Sequence, residues 1–171
     1  MGESSEACPG CGLVAPALDG PRDPYGGSSP ACWAAFGEVT AKDYGEFRYP
    51  EVHRLIVDAY MAQHAMFDAP AARRSAVVHL IGLHLALDRG LSGPAVSKAM
   101  GVVFPKKEDP APLAPRPPPG GLTVASVLAA KDLEAHTRLA RAWAASVWAS
   151  WSAHHAEIRA LADAAVSRAR A

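Results

Sequence analysis

Cys8 and Cys11 stand in the segment CPGCG, inside a stretch, residues 1–30, that is rich in Gly, Pro, Ser and Asp. Such residues favour turns and cannot hold a long regular helix. The stretch also contains too little apolar material to form a core of its own. Some other interaction has to organise it, and a bound metal ion suffices. This requirement constrains the fold more than any other feature of the chain.

Two cysteines at positions i and i+3, with glycine between and after them, allow the backbone to wrap around one ion. Zinc takes about four N or S ligands in a tetrahedron, so this pair needs two more. Cys32 is the obvious third ligand because it lies in the first turn of a predicted helix, where the helix dipole stabilises a thiolate. The odd number of cysteines also favours ligands over disulfides.

The packing of two predicted helices selects the fourth ligand. Helices at about 30–44 and 50–65, joined by a short loop, are expected to pack antiparallel, so residues whose numbers sum to about 94 face each other. Cys32 then lies near residue 62, beside His64. His53 lies about 16 Å away along the helix, so both histidines cannot bind one ion. The predicted Zn²⁺ ligands are Cys8, Cys11, Cys32 and His64.

Other interpretations of the cysteines stay open. His53 is the alternative fourth ligand. A catalytic zinc ion with an open coordination position would use the same donors. CPGC also resembles the CxxC of disulfide oxidoreductases, which would make Cys8 and Cys11 a thiol redox switch. Those enzymes place the motif in a thioredoxin-like sheet, and this sequence predicts no such sheet.

Apolar residues recur at helical spacing through most of the chain, and no region shows strand-like alternation of any length. The sequence therefore predicts an all-α fold, an irregular bundle of five to six helices with a zinc-knuckle-like N-terminal loop. Ser28 or Ser29 caps the first helix, Pro50 opens the second, and Ser152 caps the last. The other helices are expected at about 71–88, 91–103, 124–130 and from 133 onward.

One domain is predicted, because 171 residues lie within the usual size of a single domain. Residues 104–121 are rich in proline. This segment is interpreted as an extended and largely exposed connector, which is either a plain tether or a PxxP-type ligand. The expected parts are a Cys-rich metal-binding loop at 1–29, N-terminal helices at 30–103, the connector at 104–121 and C-terminal helices of the same domain at 122–171.

Histidines on several helices indicate a second hypothesis, an enzyme acting on a small molecule by acid–base or metal-assisted chemistry. The sequence contains none of the P-loop, GxGxxG, GxSxG or HExxH motifs. A lone histidine on an apolar helix is more often a core residue with a satisfied hydrogen bond. Arg54 and Asp58 are equally explained as an i, i+4 surface pair. The candidate pocket residues are His53, Asp58, Tyr60, His79 and His155.

The charges balance, with 17 basic and 17 acidic residues. A balanced chain argues against a nucleic-acid binder and against a polybasic membrane anchor.

The longest apolar run, residues 76–87, is too short to cross a membrane and is expected to be a buried core helix. No secretory signal is visible, so a cytoplasmic location is expected. The sequence excludes neither a small-molecule ligand nor a homodimer.

Several segments resemble, in order, an uncharacterised bacterial protein family of unknown function. They are CPGCG, DGPRDPYGGSSPACW, EVHRLIVDAYMAQH, VVHLIGLHLALDRG, LTVASVL and VWASWSAHHAEIR. The resemblance implies no activity, but all the candidate metal and pocket residues lie inside these segments. A weaker likeness is to DinB-type metal-binding helical bundles, whose last helix often carries paired histidines, as His154 and His155 are here.

Overall fold

The computed structural model describes residues 4–101 and 109–168. This part of the chain is mostly helical, with one small two-stranded sheet. The strands are β1 (Ser5–Ala7) and β2 (Val14–Pro16). The helices are α1 (Pro30–Tyr44), α2 (His53–Gln63), α3 (Pro70–Leu87), α4 (Gly93–Met100), α5 (Val124–Leu128), α6 (Leu133–Ser150) and α7 (His155–Arg168). The predicted all-α class with a cysteine-bearing N-terminal segment is confirmed.

The N-terminal segment contains a hairpin that the sequence analysis missed. β1 and β2 pair antiparallel, with Glu6 opposite Ala15. Each strand has three residues, which is too short for an alternating pattern to be visible in the sequence. The hairpin places CPGCG at its turn.

α1 begins where the sequence predicted. Ser29 is the N-cap, and its hydroxyl accepts a hydrogen bond from the backbone N–H of Cys32 at 3.2 Å. Pro30 occupies the first turn, where a missing N–H costs nothing. α2 starts at His53 rather than Pro50, because residues 51–52 form a turn without a side-chain cap.

α3 is the apolar centre of the bundle, as its composition predicted. Leu80, Ile81 and Leu83 are fully buried, and α3 packs mainly against α2. Among the helices that the structure describes, none combines the length and the hydropathy that a membrane crossing requires. Residues 102–103 of the predicted fourth helix lie outside the described residues, and α4 ends at Met100.

Helices from both halves of the chain share one hydrophobic core. Gln63 of α2 connects them, since its amide donates to the carbonyl of Leu122 at 2.8 Å and accepts from Trp143 Nε1 at 3.0 Å. A capping box at Thr123 starts α5, and Asp132 caps α6. Ser152 was predicted to cap the last helix, but it begins a 3-10 turn without a side-chain cap, and α7 starts at His155.

The described part of the proline-rich connector, residues 109–121, runs over the surface and is mostly exposed. Leu113 is the exception, because it is 1% exposed and belongs to the core. Arg116 also lies against the fold, with its guanidinium donating to the carbonyl of Ala65 at 2.9 Å and to that of Pro9 at 3.3 Å. Residues 104–108 of the predicted connector lie outside the described residues.

Candidate metal centre

Three cysteines and one histidine come together where the hairpin, the start of α1 and the end of α2 meet. The sulfur of Cys32 lies 3.7 Å from the sulfur of Cys11 and 3.3 Å from Nε2 of His64. The donor atoms of these residues and Cys8 all lie within 4.8 Å of one another. Each of the four residues is at most 1% exposed. We call Cys8, Cys11, Cys32 and His64 the Cys3His cluster.

These distances match a four-coordinate metal site. Around a tetrahedral zinc ion with Zn–S bonds of about 2.3 Å, two sulfurs lie about 3.8 Å apart, and a sulfur lies about 3.5 Å from an imidazole nitrogen. A disulfide would need an S–S distance of about 2.05 Å. All three cysteines are free. The donor set is therefore arranged as a group that could hold a metal ion.

The hairpin turn presents Cys8 and Cys11 to the same point. The backbone N–H of Cys8 donates to the carbonyl of Leu13 at 2.8 Å, and that of Gly12 donates to the carbonyl of Cys8 at 2.8 Å. Gly12 has a φ of 78°, a conformation that glycine adopts without strain. The N–H of Ser29 donates to the sulfur of Cys8 at 3.4 Å. A thiolate at Cys8 would therefore receive a backbone hydrogen bond.

His64 is held so that one ring nitrogen faces the sulfurs. Its Nδ1–H donates to the carbonyl of Tyr60 at 2.7 Å, which leaves the Nε2 lone pair free to bind a cation. The ring also lies against Tyr60, with centroids 4.2 Å apart and the planes tilted by 32°. Gly10 lies so close to the ring that a Cβ there would be 2.4 Å from His64 Cδ2. The backbone of CPGC and the imidazole are thus in direct contact.

The antiparallel packing that selected His64 is present. The facing pairs across α1 and α2 are Cys32 with His64, Phe36 with Tyr60, and Asp43 with His53. Their numbers sum to 96, against the predicted value of about 94. The helix register therefore brings His64, and not His53, to Cys32.

A second layer of backbone contacts encloses the cluster. The N–H of Gly27 donates to the carbonyl of His64 at 2.8 Å, and Gly26 forms an isolated β-bridge with Ala65. Arg116 donates to carbonyls on both sides of the cluster, one in CPGC and one after α2. The segment before α1 is thereby fastened to the end of α2.

The sulfurs of Cys8 and Cys32 lie so close together that their pKa values shift in opposite directions. Hydrogen bonds from Cys11 and then Cys32 lower the pKa of the Cys8 thiol far below its usual range. Hydrogen bonds with Cys11 and then Cys8, together with burial, raise the pKa of Cys32. Burial acts to lower the pKa of His64, but hydrogen bonds to Cys11 and Cys8 raise it to about 9. A divalent cation at this point would favour the ionised form of every sulfur.

Residues 6–152 match the model of a family described as a family of unknown function (DUF5946). The chain belongs to DUF5946. The matched range contains the whole Cys3His cluster and every helix from α1 to α6. No curated protein and no solved structure matches the chain. The resemblance to an uncharacterised family is confirmed, and the likeness to DinB-type bundles stays a prediction.

In this DUF5946 chain, the five candidate pocket residues lie in four separate environments, and only Asp58 and His79 contact each other. Tyr60 is fully buried beside the Cys3His cluster, and burial raises the pKa of its phenol. Asp58 is also fully buried and receives two hydrogen bonds from Arg54, at 2.8 and 2.9 Å, and one contact of 2.7 Å from His79. Arg54 and Asp58 are therefore a partly buried pair, because the side chain of Arg54 is 22% exposed and that of Asp58 is fully buried.

The remaining two candidate pocket residues, His53 and His155, contact partners outside the candidate set. His53 lies 2.8 Å from Asp43, at the opposite end of α2 from His64. His155 stacks on Trp148 with ring centroids 3.8 Å apart, and its Nε2 lies 2.9 Å from the Trp148 carbonyl oxygen. The five side chains thus do not meet in one pocket.

The sequence analysis missed the residue that organises the histidines at this end. Asp43 is completely buried, and its second carboxylate oxygen lies 2.7 Å from Nε2 of His136. A single aspartate thus lies within 2.8 Å of two imidazoles, one from α2 and one from α6, and only the contact with His53 is a hydrogen bond. The available signal was its position near the end of α1, which the same antiparallel register places opposite His53.

A further carboxylate joins α3, α6 and α7. Asp88 accepts hydrogen bonds from Trp148 Nε1 at 3.0 Å and from Arg159 at 2.8 Å, and lies 2.9 Å from Nδ1 of His84. Burial acts to raise the pKa of Asp88, but Arg159, His84 and Trp148 hold it below its usual range. This network is a helix-to-helix connection far from the Cys3His cluster in sequence.

Proposed function

We propose that this DUF5946 chain is a zinc-binding helical-bundle protein in which the Cys3His cluster holds one structural zinc ion. The observation that carries the proposal is the set of four buried donors within 4.8 Å of one another. The ion would fasten the N-terminal hairpin to the bundle. The biological role that we infer from such a site is protein interaction or regulation in a reducing compartment such as the cytoplasm.

The donor chemistry favours zinc over the hard cations. Three thiolates and one imidazole are soft or borderline ligands, whereas magnesium and calcium require oxygen donors. Structural zinc sites are closed, with four protein ligands in a tetrahedron, while catalytic sites keep one position for water. The cluster supplies four protein ligands, each at most 1% exposed. These properties support a closed structural site.

A bound ion would stabilise the N-terminal segment, which packing alone stabilises little. Residues 4–29 are largely exposed, and Cys8 and Cys11 are among their few buried apolar side chains. A segment that buries so little apolar surface gains little hydrophobic stabilisation. Structural zinc sites provide about 10–16 kcal/mol of binding free energy in small zinc-finger peptides. Zinc binding would therefore be the main force that orders the hairpin against α1 and α2.

The proposal is tested by metal analysis of the purified protein. We expect about one zinc per chain, and a chelator should remove it together with part of the thermal stability. His64→Ala should lose zinc at a chelator concentration that leaves the wild type loaded. His155→Ala, which changes a histidine of the same type outside the cluster, is the matched control.

Two outcomes would contradict the proposal. One is a protein that is purified without metal and whose melting temperature is unchanged by added zinc. The other is the behaviour of a redox switch, in which mild oxidation cross-links Cys8 to Cys11 and no metal is bound. Mass analysis of the alkylated protein distinguishes free thiols from that disulfide.

A further inference from the structure

Three side chains form a hydrogen-bonded chain that runs from the protein interior to the surface at the far end of α2. The hydroxyl of Tyr44 lies 3.4 Å from Nε2 of His53. Nδ1 of the same imidazole lies 2.8 Å from Oδ2 of Asp43. Asp43 is completely buried, His53 is 6% exposed and Tyr44 is 66% exposed. The order of groups is hydroxyl, imidazole and carboxylate.

The carboxylate determines which nitrogen of His53 carries the proton. An ionised aspartate only accepts hydrogen bonds, so Nδ1–H of His53 donates to Asp43. The Nε2 lone pair then accepts from the O–H of Tyr44. His136 Nε2 lies 2.7 Å from the other oxygen of Asp43, but neither of these two buried atoms has a hydrogen-bond partner among the described residues. The order of hydroxyl, imidazole and carboxylate is the arrangement by which a general base activates a hydroxyl nucleophile.

The loop between α1 and α2 holds this chain in a strained conformation. Arg48 and Tyr49 are consecutive non-glycine residues with φ values of 53° and 60°. Such conformations cost about 1–3 kcal/mol each and concentrate at functional sites. The strain places the Tyr49 ring 4.5 Å from the ring of His53 and 5.5 Å from that of Tyr44. The three aromatic rings form one wall.

A cleft of about 670 Å³ begins at Tyr49, while Tyr44 and His53 lie outside its lining. Pro50 and Pro94 also line it. Arg54 also lines the cleft, but its guanidinium is bound to Asp58, and the carboxylate of Glu51 is 86% exposed there. Among the described residues that line the cleft, no cation is left uncommitted. An uncharged ligand therefore fits it better than a phosphate.

We propose that Tyr44 is an activated phenol that accepts an acyl group from an uncharged ester, with His53 as the general base and Asp43 as the positioning residue. The oxygen of Tyr44 attacks the carbonyl carbon while Nε2 of His53 takes the phenol proton. The bond from that carbon to the leaving oxygen then breaks. The leaving oxygen keeps the electron pair and takes the proton from His53, so the products are O-acyl-tyrosine and an alcohol.

The test is the rate at which each tyrosine is acetylated by p-nitrophenyl acetate, followed by peptide mass spectrometry. Tyr25 is the internal reference, because it is 49% exposed and its hydroxyl forms no hydrogen bond to a histidine among the described residues. General-base catalysis contributes about 10²–10⁴-fold when geometry is ideal. The hydrogen bond between Tyr44 and His53 is long, so we expect less than this full factor. Tyr44 should still react at least about 10-fold faster than Tyr25.

Variants separate activation from simple exposure. His53→Gln should lower the Tyr44 rate to that of Tyr25, and Asp43→Asn should lower it without changing the rates of Tyr25 and Tyr49. His79→Gln is the matched control, because His79 also pairs with a buried aspartate but forms no hydrogen bond or ring contact with a tyrosine among the described residues. A Tyr44 rate that is unchanged in a folded His53→Gln variant would overturn the proposal. So would equal rates for Tyr44 and Tyr25 in the wild-type protein, whether or not the variants fold.

Discussion

Gly10 lies between the two cysteines of the hairpin turn, with its backbone against the imidazole of His64. A Cβ at this position would be 2.4 Å from Cδ2 of His64 and 2.6 Å from the carbonyl oxygen of Gly27. Neither neighbour can move freely. The imidazole is held by the 2.7 Å hydrogen bond to Tyr60, and Gly27 is bonded to the backbone of His64. We therefore predict that Gly10→Ala damages the Cys3His cluster without changing any donor atom.

The size of the effect follows from the overlap. Ordinary Cβ contacts begin near 3.4 Å, so the new methyl group would overlap the ring by about 1 Å. Overpacking of this kind costs about 1–3 kcal/mol. If the cost falls on the metal-bound state, zinc affinity should drop by about 5- to 150-fold. If it falls on the fold, the melting temperature should drop by about 2–12 °C for a chain of this length.

The measurement is zinc transfer to a chromophoric chelator, with thermal unfolding of the zinc-loaded protein in parallel. Gly37→Ala is the matched control, because a Cβ on Gly37 has nothing within 4 Å and alanine favours the helix interior by about 1 kcal/mol. That control should bind zinc like the wild type. The reasoning is refuted if Gly10→Ala retains both the zinc affinity and the melting temperature of the wild type.

Two further substitutions test the buried carboxylate of Asp58 and the exposed carboxylate of Asp88. Gly82→Ala would place a methyl group 2.4 Å from Oδ2 of Asp58. Separating Asp58 from Arg54 and His79 should cost about 3–5 kcal/mol in a urea unfolding experiment. A loss below about 1 kcal/mol would contradict this prediction. Asp88→Asn should destabilise the protein by up to about 1 kcal/mol at pH 7, since solvent screens the exposed ion pair with Arg159. Because Arg159 and its neighbours lower the pKa of Asp88 in the folded protein, this contribution is present above about pH 4 and is lost as the pH falls further. Unfolding curves from pH 7 to pH 3 should therefore converge for the wild type and the variant, and parallel curves would show that Asp88 carries no folding-linked charge.

Much of the metal centre was predictable because it depends on local rules and one packing relation. The cap at Ser29 and the proline after it determine where α1 begins, and so where Cys32 lies. Antiparallel packing of α1 and α2 then brings His64 to that end. The relation holds because the loop between the helices is short, which leaves few ways for them to pair.

The histidine clusters were not predictable in the same way. His53, His79 and His155 were grouped because they come from three separate helices, which could converge. Which partner each one meets depends on how the helices rotate about their axes, and a rotation of one residue, about 100°, changes the partner. The analysis did not consider Asp43, since nothing in its local sequence distinguishes a buried aspartate from an exposed one.

The short hairpin escaped detection for a related reason. Its strands are held by pairing with each other and by the cysteines at the turn, so hydrophobic periodicity has no part in forming them. Leu113 in the proline-rich connector is a comparable case, because the composition around it is typical of an exposed tether. Only the folded chain shows that this side chain enters the core.

The enclosure of the Cys3His cluster has a consequence for how long a bound ion would stay. The bridge between Gly26 and Ala65 and the hydrogen bonds of Arg116 close the chain over donors that are at most 1% exposed. An ion held there could leave only after these contacts open. Its departure would then follow the rate of that opening and would not accelerate as competing chelator is added. Such a protein would keep its metal because these contacts open slowly, even where other ligands in the cell bind the ion more tightly.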